Sequence, residues 1–449
     1  MLSRVFLGLT LLAVTPGWSQ VAPAASGPAP VSTEAAPPDA DIIMLVPPPV
    51  SGQGYPTAVL SEVRSNYLDA ALAFNAAHDD NVLAGSSPIP VSDMIYTISP
   101  TIALDQSTPR QHRMFNYSPS FVLYQPTTAL NEVAENALGD FQFRLSPHTS
   151  LDLKDSFQKT SNVLNQSDIL QLGSVSGSSQ AVAVIAPFAN QLNNSANAEF
   201  SSQFRLNDMV GAAATFTNLY FLNPSEATGL YDSDSQGGSG FYSHRMGRAQ
   251  YVGASYQYLR SMSNFASIQS DTQTHTIAPF YTIYFRPTFS ISLAVGPQHF
   301  DVVQSSSTEF SSWTPFATGS IGYQGLHANF AANYSRTVTG GGALLGGFNS
   351  SSANGIARWR ITPTWIVGAA SSYGIYKNVA PALITSSRGG HTVSGTVSLE
   401  HPIGERFKAE AGFTKLHQSY GGVVVLTEDP DSEREYISIS YQLRRPLGR

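Results

Sequence analysis

The chain has 449 residues, and only 12% of them are Asp, Glu, Lys or Arg, about half of the ~25% usual in soluble proteins. Hydrophobic residues make up an ordinary 42%, so uncharged polar residues and Gly fill the deficit. A formal charge of −7 argues against nucleic-acid binding, and the lack of cysteine excludes disulfides, thiol nucleophiles and thiolate metal sites.

Residues 1–20, "MLSRVFLGLTLLAVTPGWSQ", carry one Arg, a mostly apolar run and then small residues. This predicts a secretory signal peptide cleaved after Ser19 or Gln20. The run is too short to span a bilayer, and no later stretch approaches the roughly 18 apolar residues of a spanning helix. Residues 21–60 are rich in Pro, Ala, Ser and Gly and read as a periplasmic spacer that cannot fold alone. It is too short for the folded plug domain of an energised transporter. Residues 61–449 read as one barrel domain. Ser61–Ala77 is alanine-rich and fits either a helix or a strand; its second half is taken as the first strand.

From there apolar and polar residues alternate, the signature of half-buried strands. The pattern predicts strands over 67–78, 93–104, 112–125, 137–146, 149–159, 196–206, 209–222, 239–246 and 249–261. It continues over 271–286, 288–299, 312–323, 326–338, 353–362, 364–377, 391–400, 405–417 and 434–444. Short Pro-, Gly-, Asn- or Asp-bearing connections such as "RLSPHTS" (144–150) and "HPIGER" (401–406) alternate with long Ser/Gly/Asn-rich ones. The long ones include 160–195, 223–238, 262–271, 300–311 and 338–352. Strict alternation puts short turns at one end of a sheet and long loops at the other.

In "IYFRPTFSISLAVG" (283–296), Phe289, Ile291, Leu293 and Val295 share one face, while Ser290, Ser292, Ala294 and Gly296 share the other. A soluble sandwich would place charge on its outer face, and its strands usually run about five or six residues. These segments mostly run to the roughly 9–11 residues that cross a bilayer at a tilt. The expected fold is therefore all-β: a transmembrane antiparallel up-and-down β-barrel of about 18 strands, with 16 as the alternative. Apolar faces meet lipid and polar faces line the interior. Aromatic residues cluster at strand ends, as interfacial girdles require. Trp359, Trp365, Phe141, Phe143, Tyr281, Tyr284 and Phe285 lie by short turns; Tyr220, Phe221 and Trp313 lie by long loops.

"FNAAHDDNVLAG" (74–85) and "FQFRLSPHTSLDLKDSFQ" (141–158) resemble the opening hairpin and the strand–turn–strand unit of putative β-barrel porins of Gram-negative bacteria. Those outer-membrane proteins are often associated with exopolysaccharide systems. The resemblance covers roughly 67–444 and implies a porin-like outer-membrane channel, with no catalytic residues to carry over. One departure is the ending "RRPLGR", where such barrels usually finish on an aromatic; Tyr441 is the nearest substitute.

Strand parity assigns Asp140, Gln142 and Arg144 to the interior, facing Asp152, Lys154, Ser156 and Gln158 of the hairpin partner. Arg358, Arg360, Lys408 and Glu410 form a second interior set. Such charges either bias which solutes enter or tie the wall together as ion pairs. Asp155 falls on the lipid face, which predicts a bulge or an early strand end there. "DSDSQG" (232–237) partly matches a calcium loop but has Ser243 where the bidentate Glu belongs, so it reads as a solvated loop. His112, His148, His244, His327 and His401 scatter along short turns, and no hydrolase, zincin or dinucleotide motif occurs. The expectation is no enzyme, no cofactor and no metal. Expected partners are outer-membrane lipid, lipopolysaccharide and the barrel-assembly machinery, and homo-oligomerisation is compatible with this picture.

Overall fold

The computed structural model describes residues 44, 46–47, 66–84, 87–161, 189–223, 227, 229–265, 268–286, 288–304, 308–340, 342–380, 389–421 and 431–447. Residues 1–20 and 162–188, which carry the expected signal peptide and most of the 160–195 loop, lie outside them.

Eighteen strands form one sheet. The first nine are β1 (Tyr67–Asp79), β2 (Asp93–Thr108), β3 (Gln111–Tyr124), β4 (Glu132–Ser146), β5 (Thr149–Thr160), β6 (Gln191–Arg205), β7 (Asp208–Phe221), β8 (Asp232–Gly247) and β9 (Gln250–Phe265). The others are β10 (Ile268–Arg286), β11 (Phe289–Gln304), β12 (Thr308–Gln324), β13 (Ala328–Thr339), β14 (Phe348–Thr362), β15 (Trp365–Asn378), β16 (Gly389–Ile403), β17 (Phe407–Gly421) and β18 (Asp431–Pro446). Every strand pairs antiparallel with its sequence neighbours, and β1 pairs with β18 in a continuous register from Tyr67↔Pro446 to Asp79↔Arg434. The sheet is a closed up-and-down barrel.

Side chains are sorted opposite to a soluble protein. On β11, Leu293 is 52% exposed while Ser290 and Ser292 are 3% and 2% exposed. Leu72, Phe74, Ile102, Val397 and Ile437 likewise point outward into open space. Inward hydroxyls pair across strands instead: Ser99 with Ser120 at 2.7 Å, Ser235 with Ser261 at 2.8 Å and Thr396 with Thr414 at 3.0 Å. A wall built this way needs an apolar medium outside and polar groups inside.

Several details differ from the sequence expectation. Asp155 sits outside, but no bulge accompanies it: the β5 register runs unbroken against β6 to Thr160↔Gln191. Its carboxylate accepts a hydrogen bond from Asn194 Nδ2 at 3.1 Å, which satisfies it without ending the strand. The segment 232–237 is the start of β8 rather than a loop. Asp232 accepts the Phe221 backbone N–H at 2.9 Å, and Asp234 accepts the Tyr220 hydroxyl at 2.8 Å. Alternation of short and long connections also fails at two places, since only two residues separate β9 from β10 and three separate β11 from β12. The polar residues there, such as Asp271, Gln273 and Asp301, continue the strands past the apolar belt and so look like loop in the sequence. Two expected girdle residues face inward: Phe221 is buried, and Tyr284 packs on an interior cluster.

The outer limit of the belt on this side is an aromatic–histidine row. Tyr256 and Tyr258 meet His275 at ring-centroid distances of 6.2 and 5.1 Å, and His299 meets Trp313 at 4.8 Å. Beyond it come Arg260 and Asp271, paired at 2.6 Å. Amphipathic rings at the boundary and ion pairs past it are what a membrane–water interface selects.

Candidate functional site: the lumen

The charged or polar residues assigned to the interior by parity, Asp140, Gln142, Arg144, Asp152, Lys154, Arg358, Arg360, Lys408 and Glu410 among them, lie on the inward face, with Arg144 exposed at the short-turn rim. They form two groups. On β4–β6, Lys154 Nζ lies 3.9 Å from Asp140 and 3.7 Å from Asp152. Glu199 stands directly opposite Asp152 in the β5–β6 register and adds a third carboxyl group beside the pair. On β14–β17, Arg358 donates from one guanidinium nitrogen to both oxygens of Glu400 at 2.7 and 2.9 Å. Lys408 bridges Glu400 at 3.6 Å and Glu410 at 3.5 Å. The intervening strand presents Gly368 beside Arg358, so nothing blocks the long side chain from reaching across. Tyr436 donates to Glu410 at 2.9 Å and extends the chain of contacts to β18.

Sequence reasoning missed Glu199 and Glu400. Both sit at inward parity beside residues that were singled out, so neighbouring-strand register would have found them. It also missed Asp79 and Arg434, directly opposed across the closing β1–β18 seam. Arg434 Nε and a terminal nitrogen donate to Asp79 Oδ2 at 2.9 and 2.8 Å, and the side chains are 3% and 1% exposed. Ser432 adds a hydroxyl bond to the other Asp79 oxygen at 2.9 Å. The pair joins the first and last strands.

Both ends of the lumen are narrowed by apolar material. Towards the short turns, Met44, within the Pro/Ala-rich spacer, lies against inward-facing Met209, Phe241, Tyr251, Phe280 and Ala294. Its backbone N–H donates to Gln203 Oε1 at 3.0 Å, and Val46 packs beside it. At the long-loop end the β13–β14 hairpin turns inward. Beyond Arg336, β13 leaves β12 and crosses to the inner face of β11. There Gln298 Oε1 accepts the Val338 N–H at 2.7 Å, and Val338 packs with Phe300 and Val302. The following turn places Leu344 and Phe348 in a buried cluster with Leu219, Phe221, Leu230, Tyr376 and Tyr420. Glycine permits the close approach: a Cβ on Gly340 would fall 2.1 Å from Ser261 Cβ on β9.

No family model and no curated protein matches the chain. Among solved structures it is similar to the unliganded ferric citrate transporter FecA, at 10% identity and a TM-score of 0.41, over 85% of this chain and 66% of that one. It is also similar to the FrpB iron transporter from Neisseria meningitidis, at 8% identity and a TM-score of 0.42, over 86% and 83% of the two chains. Pseudomonas aeruginosa OpdQ matches at 9% identity and a TM-score of 0.39, over 85% and 100%. The chain thus spans about two thirds of the ferric citrate transporter's length. Identities and scores this low transfer no function.

Proposed function

We propose that this chain is an outer-membrane channel, exported by a cleaved signal peptide, whose polar lumen passes small solutes, saccharides among them. The observation that carries this reading is the inverted polarity of a closed wall: large apolar side chains outside, and hydroxyls, amides and paired charges inside. Hydrocarbon admits only a closed barrel or a helix, because an open sheet edge would strand backbone groups at several kcal/mol each. Hydroxyls and amides on the inner wall can exchange hydrogen bonds with a passing polar solute or its water. Salt-bridge ladders on two walls hold that surface in place. No catalytic role is assigned to any residue. Lipopolysaccharide and the barrel-assembly machinery are the partners this location entails.

The second reading is a structural or surface-binding outer-membrane barrel with an occluded lumen, acting in envelope assembly or exopolysaccharide export. Met44 and the inward β13–β14 hairpin favour it. Purified protein in planar lipid bilayers separates the two readings. The channel reading expects discrete conductance steps in the full-length mature chain. A protein that inserts, shows heat-modifiable migration and gives no steps would support occlusion.

A further inference from the structure

The departure of β13 from β12 leaves part of the wall unpaired. β12 pairs with β11 over its whole length, from Phe289↔Tyr323 to Gln304↔Thr308. Its other edge pairs with β13 only from Gln324↔Asn329 to Ala317↔Arg336. Among the described residues, no backbone hydrogen bond closes the edge from Glu309 to Phe316. Trp313 and Pro315 mark its outward face at the boundary row, and Pro315, which has no N–H, blunts it.

At the foot of this seam stands Arg336. It lies opposite Ala317, which lies opposite Val295, so it shares the outward face with lipid-side residues such as Tyr334 and Val295. Several outward charges elsewhere have partners: Glu135 with Lys159 at 3.7 Å, Arg260 with Asp271, and Lys415 with Glu433 at 2.6 Å. Among the described residues Arg336 has none, and its Nε is shielded from solvent without a hydrogen-bond acceptor. An unpaired cation within the apolar belt is costly and marks a site where something supplies the counter-charge.

We infer that the β12–β13 seam binds an anionic amphiphile of the bilayer leaflet on the long-loop side, its head group on Arg336 and its hydrocarbon chain along the outer face beside the seam. The guanidinium offers a planar fork of donors to a phosphate or carboxylate. The outward faces of Val295, Ala317 and Tyr334 supply the apolar track. The site rests on the membrane reading above and adds a ligand class and a residue to it.

The cysteine-free chain permits a direct test. A bimane label on Pro315→Cys reports the seam, and one on Ile277→Cys reports ordinary lipid-facing wall. In proteoliposomes, doxyl-labelled phosphatidic acid is compared with doxyl-labelled phosphatidylcholine as quencher. One arginine near the interface favours the anionic lipid by about fivefold in local occupancy. The expected result is that preference at Pro315→Cys, none at Ile277→Cys, its loss in Arg336→Gln and partial retention in Arg336→Lys. Equal quenching by the two lipids at the seam, or a preference that survives Arg336→Gln, overturns the site. If neither lipid quenches Ile277→Cys, the membrane reading fails and the site with it.

Discussion

Asp79→Ala destabilises the folded barrel by about 3–5 kcal/mol, because it leaves the Arg434 guanidinium buried without its carboxylate. The pair is almost wholly excluded from solvent and sits on the two strands that close the ring. The loss therefore falls on closure, where each unpaired backbone group adds to the penalty. Asp79→Asn costs less, since the amide oxygen can still accept from Arg434 while the Ser432 hydroxyl turns to accept from the amide nitrogen. Replacing both charges, as Asp79→Leu with Arg434→Met, recovers much of the loss, because no buried ion remains to be neutralised. Urea titration of the detergent-solubilised protein, followed by heat-modifiable migration, gives the ranking. Equal midpoints for wild type and Asp79→Ala would show that the pair contributes nothing to closure.

The second large effect is on conductance. Met44 and the β13–β14 hairpin narrow the lumen at opposite ends, so they act as resistances in series. Removing either alone leaves the other limiting. The expected result is a modest rise on deleting residues 21–47, a modest rise on replacing 340–347 by Asn-Gly, and about a twofold or larger rise when both are removed. Asn-Gly suits the exchange because it closes a two-residue hairpin. Single-channel recording in planar bilayers measures all three. A double variant no more conductive than wild type would locate the limiting constriction elsewhere.

Much of the architecture was legible because it depends on period. A strand between lipid and water has one apolar face, so "FSISLAVG" (289–296) states its own orientation, and the same alternation gave eighteen segments that all became strands. Charges within strands followed the same parity, which placed Asp140, Lys154, Arg358 and Lys408 on the inner face. What stayed hidden depends on long-range contacts. Asp271 and Asp301 are polar because β10 and β11 rise past the boundary row, yet polarity alone reads as loop. Thr337 and Val338 alternate like any strand residues, so nothing local announces that their hairpin leaves β12 and folds onto Gln298. Met44 lies in a stretch that cannot fold alone; its burial comes from a pocket assembled by β7–β11. Asp155 misled for a different reason, since its Asn194 partner lies 39 residues away.

The central claim is that hydrocarbon covers the outward residues of each strand. Spin labels placed one at a time from Phe289→Cys to Gly296→Cys, in protein reconstituted into lipid vesicles, test it residue by residue. The account predicts a two-residue oscillation, with oxygen reaching labels at Ile291, Leu293 and Val295 far more readily than a water-soluble nickel complex does. Labels at Ser290 and Ser292 should show the opposite bias or low access to both. Ready access of the nickel complex to 291, 293 and 295, or no oscillation along the segment, would contradict it.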